Sequence, residues 1–231
     1  MSNLDIINQL EHNKENVESI VAKNTVESHT PPTIVAVTKS VDSAMMESLF
    51  QTGQRHFAEN RPDQLINKQE SLSHLKQDIV WHFIGNLQSR QVRKIINEID
   101  YLHSLDRISL AKEIQKRANN TIKCFLQVNV SGEESKSGFA PNQLAEVIKE
   151  LEQYDKVQIV GLMTMAPIDA TEKELHQYFR QLKASQEEIH KLAKPYAPCT
   201  EVSMGMSQDF AIAVQEGASF LRIGSAFFQG L

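Results

Sequence analysis

Two textures alternate along the chain. Short runs of β-branched and apolar residues, apolar on both faces, fall at 33–39, 56–60, 79–85, 101–104, 122–130, 157–164, 200–203 and 220–224. Runs of this kind predict strands covered on both sides, as in a parallel sheet. Between them lie longer stretches whose apolar residues sit three and four apart, the spacing of amphipathic helices. Examples are Met45, Met46, Leu49 and Phe50; Val92, Ile95, Ile96 and Ile99; and Leu175, Phe179, Leu182 and Ile189. Pro31-Pro32 precedes the first strand, Gly53 stops the helix after it, Pro62 opens the next helix, and Ser207 is expected to cap the one that ends at Gly217. A further helix over 3–22, with Ile6, Leu10, Val17, Ile20 and Val21 on one face, precedes the first strand and is expected to close one end of the fold. Eight alternating strand–helix units predict an α/β single-domain (β/α)8 TIM-type barrel over residues 1–231, with an extra N-terminal helix. A doubly wound open sheet is the alternative, but no Gly-x-Gly-x-x-Gly turn follows the first strand.

Composition narrows the function. At 231 residues, 41% hydrophobic and 23% charged, the chain has the make-up of an ordinary globular domain. A net charge of −5 argues against nucleic acid as the main partner, because phosphate neutralisation needs a basic face. The segment from Met1 to Gln9 lacks a continuous apolar core, so neither a signal peptide nor a membrane span is expected, and the protein is expected to be cytoplasmic. Cys124 and Cys199 have no partner at metal-ligand spacing, and no histidine pair sits at i, i+4 on one helix, so no metal site is expected.

In a parallel barrel the chemistry collects at the carboxyl ends of the strands. Lys39 ends the first run, where it is either a solvated strand-end charge or, if partly buried, a nucleophile toward an aldehyde. Gly224-Ser225 follows the eighth run, where barrels commonly bind phosphate through backbone N–H groups, and Ser203-Met204-Gly205-Met206-Ser207 can add amides to the same anion. Asn60, His82, Asn129, Met163 and Arg222 fall at other strand ends. Each has a plain reading: His82 as a satisfied core histidine, Met204 and Met206 as core filler, Arg222 as an ion-pair partner, Gly-Ser as a turn. Taken together, a strand-end lysine and an anion cradle across the mouth describe a site for a phosphate-bearing aldehyde, which pyridoxal 5′-phosphate (PLP) satisfies.

Six motifs carry a resemblance to a known family: Ala36-Val37-Thr38-Lys39, Glu59-Asn60-Arg61, His82-Phe83-Ile84-Gly85-Asn86-Leu87-Gln88, the loop from Ser131 to Gly138, Ser203-Met204-Gly205-Met206-Ser207 and Arg222-Ile223-Gly224-Ser225. In this order over nearly the whole chain, they resemble the pyridoxal phosphate homeostasis proteins, whose domain is similar to the alanine racemase barrel. The resemblance implies that Lys39 forms the internal aldimine with PLP, that Ser203, Gly205, Gly224 and Ser225 surround the phosphate, that Arg222 faces the pyridine nitrogen, and that Asn60, His82 and Met163 line the ring's surroundings. Ala58 stands where the family usually has glycine, which matters only if φ there is positive.

Arginine at the pyridine nitrogen disfavours the proton that makes the cofactor an electron sink. Alanine racemase adds a tyrosine base from a second domain and subunit. Here none of Tyr101, Tyr154, Tyr178 and Tyr196 falls at a predicted strand's carboxyl end, and no second domain is expected after the eighth strand. The expectation is therefore a monomeric PLP-binding protein of intracellular B6-vitamer homeostasis, in transient contact with PLP-dependent apoenzymes and without turnover of its own. The rivals are a weak PLP-dependent racemase or lyase, a cofactor-free Schiff-base aldolase, and a scaffold that engages enzymes through the loop from Ser131 to Gly138.

Overall fold

A computed structural model describes residues 2–27, 29–133 and 137–231. Glu134, Ser135 and Lys136 of the Ser131–Gly138 motif lie outside the described residues. Among the described residues, eight parallel strands close into a barrel in chain order: β1 (Thr33–Val37), β2 (His56–Glu59), β3 (Val80–Phe83), β4 (Tyr101–Leu105), β5 (Ile122–Gln127), β6 (Val157–Met163), β7 (Glu201–Met206) and β8 (Phe220–Ile223). The β1–β8 pair closes the ring, with Val35 opposite Arg222 and Ala36 opposite Ile223. Among the described residues, seven α-helices follow strands β1 to β7: α2 (Ser43–Gln51), α3 (Pro62–Ser71), α4 (Val92–Ile95), α5 (Ile108–Arg117), α6 (Leu144–Leu151), α7 (Glu172–Lys191) and α8 (Phe210–Gln215).

The N-terminal helix α1 (Asn3–Asn24) packs against α2 and α8 instead of closing an end. It takes the place in the helical ring that a helix after β8 would occupy. Its stripe of Leu10, Val17 and Val21 is buried in the layer between sheet and helices. Asn13 fixes its axial position by donating to the carbonyls of Phe227 (2.8 Å) and Gln229 (2.9 Å).

Two cores result. The larger lies between strands and helices and is mainly aliphatic, with Phe57, Trp81, Phe83, Phe179, Phe210 and Phe227 among its residues. The smaller fills the barrel itself with Val35, Val37, Ala58, Phe125, Val160, Met163 and Phe220, flanked by Ile84 and Tyr101. Its remaining space is occupied by buried polar groups, His82, His103, Ser203 and Arg222. Barrel interiors are usually layered with branched aliphatics, so this polar column is a feature to be explained. Positive φ occurs among described non-glycine residues only at Ala193 and Cys199. Ala58 therefore needs none of glycine's freedom.

Candidate functional site

The carboxyl ends of the strands frame a cavity of about 730 Å³, within the range of small-molecule sites. Lys39, Asn60, Arg222 and Ser225 line it, together with Ile84, Met165, Ser207 and Asp209. Lys39 is solvent-exposed there, not partly buried. Its neighbour is what is held. Thr38 has its N–H on the Ala58 carbonyl at 3.1 Å, its hydroxyl on Glu59 Oε1 at 2.6 Å, and its carbonyl accepting from Lys68 Nζ at 2.6 Å. Lys68 also pairs with Glu59 Oε1 at 2.5 Å. Both are buried, and Glu59 Oε2 has no hydrogen-bond partner. A lysine from α3 thus reaches under β1 and fixes the backbone from which Lys39 projects.

Across the mouth, the turn after β8 supplies backbone amides. The N–H groups of Gly224 (3.1 Å) and Ala226 (3.3 Å) both donate to Ser207 Oγ. Ser207 does not cap α8, as expected from the sequence; Asp209 stands at that N-cap position, with Oδ1 accepting the Met206 N–H at 2.6 Å. A hydroxyl oxygen gathered by two amides marks where an anionic oxygen fits, as in other backbone anion nests. Burial pushes the Asp209 carboxyl up, against the pull of the Met206 N–H and of Arg222. Gly205 lies buried behind this turn with φ of +94°, and a Cβ there would stand 2.6 Å from the Ala213 Cβ. It shapes the end of β7. Gly205→Ala is expected to cost about 1–3 kcal/mol in a urea melt and to loosen the amide cradle.

Arg222 is buried, donating Nη1 to Ser203 Oγ at 2.6 Å and Nη2 to the Thr164 carbonyl at 2.8 Å. Burial pushes it down to about 10, opposed by Asp209, so it stays cationic at neutral pH.

The expected site residues therefore separate into two tiers. Lys39, Asn60, Arg222 and Ser225 meet at the cavity, with Gly224 presenting its amide beside it. His82, Met163 and Ser203 do not reach it. Strand alternation turns them into the barrel, where His82 stacks on Tyr101 at 4.7 Å between ring centroids and Met163 packs in the interior core. For His82 the satisfied-core reading describes its position. The sequence reading passed over Lys68, His56 and His103. Lys68 sits in a polar-looking helix, and its only signal is the single buried face that Leu65, Lys68 and Gln69 share.

The family model of the alanine racemase N-terminal domain matches residues 7–231. The pyridoxal phosphate homeostasis protein of Aquifex aeolicus is 36% identical over 198 residues, covering 84% of this chain and 85% of its own. That of Mus musculus is 32% identical, covering 85% and 76%. The chain belongs to the pyridoxal phosphate homeostasis protein family. Among solved structures, PipY of Synechococcus elongatus with PLP bound superposes with a TM-score of 0.84 at 34% identity, over 95% of this chain and 99% of that one. Alanine racemase of Corynebacterium glutamicum shares the fold at 13% identity, with a TM-score of 0.75 over 97% of this chain and 63% of its own. No helix among the described residues of this family member is long and apolar enough to cross a membrane.

Proposed function

We propose that this protein holds PLP covalently on Lys39, with residues 1–231 acting as one cofactor-binding domain, and serves intracellular B6-vitamer homeostasis without catalytic turnover. The observation that carries the reading is one cavity joining an exposed strand-end lysine, a two-amide oxygen cradle and a buried arginine. Bound PLP supplies an electrophilic aldehyde at one end and a phosphate at the other. The Lys39 amine is free to reach the aldehyde, while Thr38, Glu59 and Lys68 hold its backbone still. The Gly224 and Ala226 amides, which donate to Ser207 Oγ, would hold the phosphate, and Ser225 would add a hydroxyl beside them. Arg222 would present a fixed cation to the ring nitrogen and disfavour the proton that electron-sink chemistry needs. Asn60 flanks the ring. Gly205 supports the cradle; Ser203, His82 and Met163 support the ring site from below.

The absence of turnover rests on what lines the cavity among the described residues. Its titratable side chains are Lys39, Arg222 and Asp209, and Asp209 is engaged by a backbone amide. No tyrosine lines it: Tyr101 is packed in the barrel interior, and Tyr154, Tyr178 and Tyr196 pack on the outer core. A base opposite the lysine is what a racemase requires. Incubated with a panel of L- and D-amino acids, the PLP-loaded protein is expected to leave their chirality and amount unchanged by chiral chromatography. Racemisation that a single mouth substitution other than Lys39 abolishes would favour the enzyme reading. The same proposal has the protein acting as a cytoplasmic monomer, binding related B6 vitamers and meeting PLP-dependent apoenzymes transiently.

A further inference from the structure

A column of polar side chains crosses the barrel interior from its amino-terminal end to the mouth. His56, half-buried at the start of β2, lies with Nδ1 3.0 Å from His82 Nε2. His82 Nδ1 lies 2.8 Å from His103 Nε2, and His103 Nδ1 lies 2.8 Å from Ser203 Oγ. Ser203 Oγ in turn accepts from Arg222 Nη1. Four contacts thus connect a half-exposed histidine to the buried cation of the mouth.

A guanidinium only donates, so Ser203 Oγ accepts from Arg222. A hydroxyl can accept twice, which leaves two directions for the chain; in the one that Arg222 polarises, the Ser203 proton goes to His103 Nδ1. His103 then carries its hydrogen on Nε2 and donates to His82 Nδ1; His82 likewise donates from Nε2 to His56 Nδ1. Both buried histidines are neutral, since burial, followed by the neighbouring histidine, holds them well below the ordinary value. Stacking of His82 on Tyr101 and of His103 on Phe125, at 4.7 and 4.4 Å, fixes the ring planes.

We propose that His56, His82, His103 and Ser203 form a hydrogen-bond relay polarised by Arg222, in which His103, acting through Ser203, is the positioning residue that holds the Arg222 guanidinium toward the mouth. The functional consequence, a fixed cation at the ring nitrogen, rests on the PLP reading; the relay itself does not. By taking the Ser203 proton, His103 turns the hydroxyl lone pairs onto Arg222. Without it, the hydroxyl hydrogen can rotate toward the guanidinium and weaken that contact.

The test uses the full chain free of PLP, labelled with ¹⁵N in histidine and arginine. Two-bond ¹H–¹⁵N spectra are expected to place His82 and His103 both as neutral Nε2–H tautomers. Arg222 is expected to give separate, slowly averaging Nη signals. In His103→Phe, which keeps an aromatic ring on Phe125, guanidinium rotation is expected to rise about tenfold or more, the equivalent of one charge-assisted hydrogen bond. His103→Gln, able to accept and donate, is expected to restore slow rotation. A ring that served only packing would leave Arg222 unchanged in His103→Phe, and that result overturns the proposal, as does an Nδ1–H tautomer at either histidine. If His103→Phe does not fold, the tautomers of the unaltered protein still decide. None of these readouts depends on PLP, so a failure of cofactor binding is separately recognisable.

Discussion

Lys68→Met is expected to destabilise the protein by about 3–5 kcal/mol in a denaturant melt and to weaken PLP uptake at a site it does not touch. Among the described residues, Lys68 is the sole cation on a carboxylate that is 0% exposed, and stripping a buried ion of its partner leaves an uncompensated charge at about that cost. Glu59 would retain the Thr38 hydroxyl and nothing further on Oε1. The functional arm follows from Thr38, whose carbonyl loses its Lys68 donor, so the backbone preceding Lys39 is less well fixed. The double substitution Glu59→Gln with Lys68→Met removes both charges, and most of the lost stability is expected to return. Equal melts for Lys68→Met and the unaltered protein would mean that the pair is not the anchor of β1.

Mild acid is expected to unfold the protein sooner than its carboxylates alone would allow. His82 and His103 are held well below 6.5 in the folded state, first by burial. In the unfolded chain they regain an ordinary value near 6.5. Between the two values the unfolded state binds more protons, so stability rises with pH through this window and is complete above about 6.5. Going down from there, each histidine removes about 1.4 kcal/mol per pH unit, so the pair lowers stability by about 3 kcal/mol at pH 5.5. Urea melts at pH 7.5 and 5.5 measure this directly. In His103→Gln the loss over the same interval is expected to be halved.

Much of this architecture is legible in the sequence, because the strands are apolar on both faces and the helices have clean stripes. β5, β6 and the capped helix α7 run close to their predicted spans, with Thr171 as the N-cap of α7. β4 reads weakly for a reason the structure supplies: His103 and Ser104 look like surface residues but are buried, His103 in the polar barrel interior and Ser104 with its hydroxyl on the Gly85 carbonyl. The same polarity concealed the relay, since histidines far apart in the chain give no local pattern. The mouth was legible where the side chain follows the last strand residue, as with Lys39 and Asn60. His82 and Ser203 lie within their strands, and their side chains turn into the barrel below the mouth. Ser207 was misjudged as a helix cap. Its hydroxyl is taken by amides of the β8 loop, a long-range contact, leaving the local capping position to Asp209.

The central claim is a covalent bond between PLP and Lys39, and an absorption spectrum of the purified protein mixed with PLP tests it most directly, before and after borohydride, followed by peptide mass mapping. A yellow band that reduction discharges, with the pyridoxyl mass fixed on the peptide containing Lys39 and absent from Lys39→Ala, is the predicted result. A protein that stays colourless and unlabelled, or a label on a different lysine, would contradict the account.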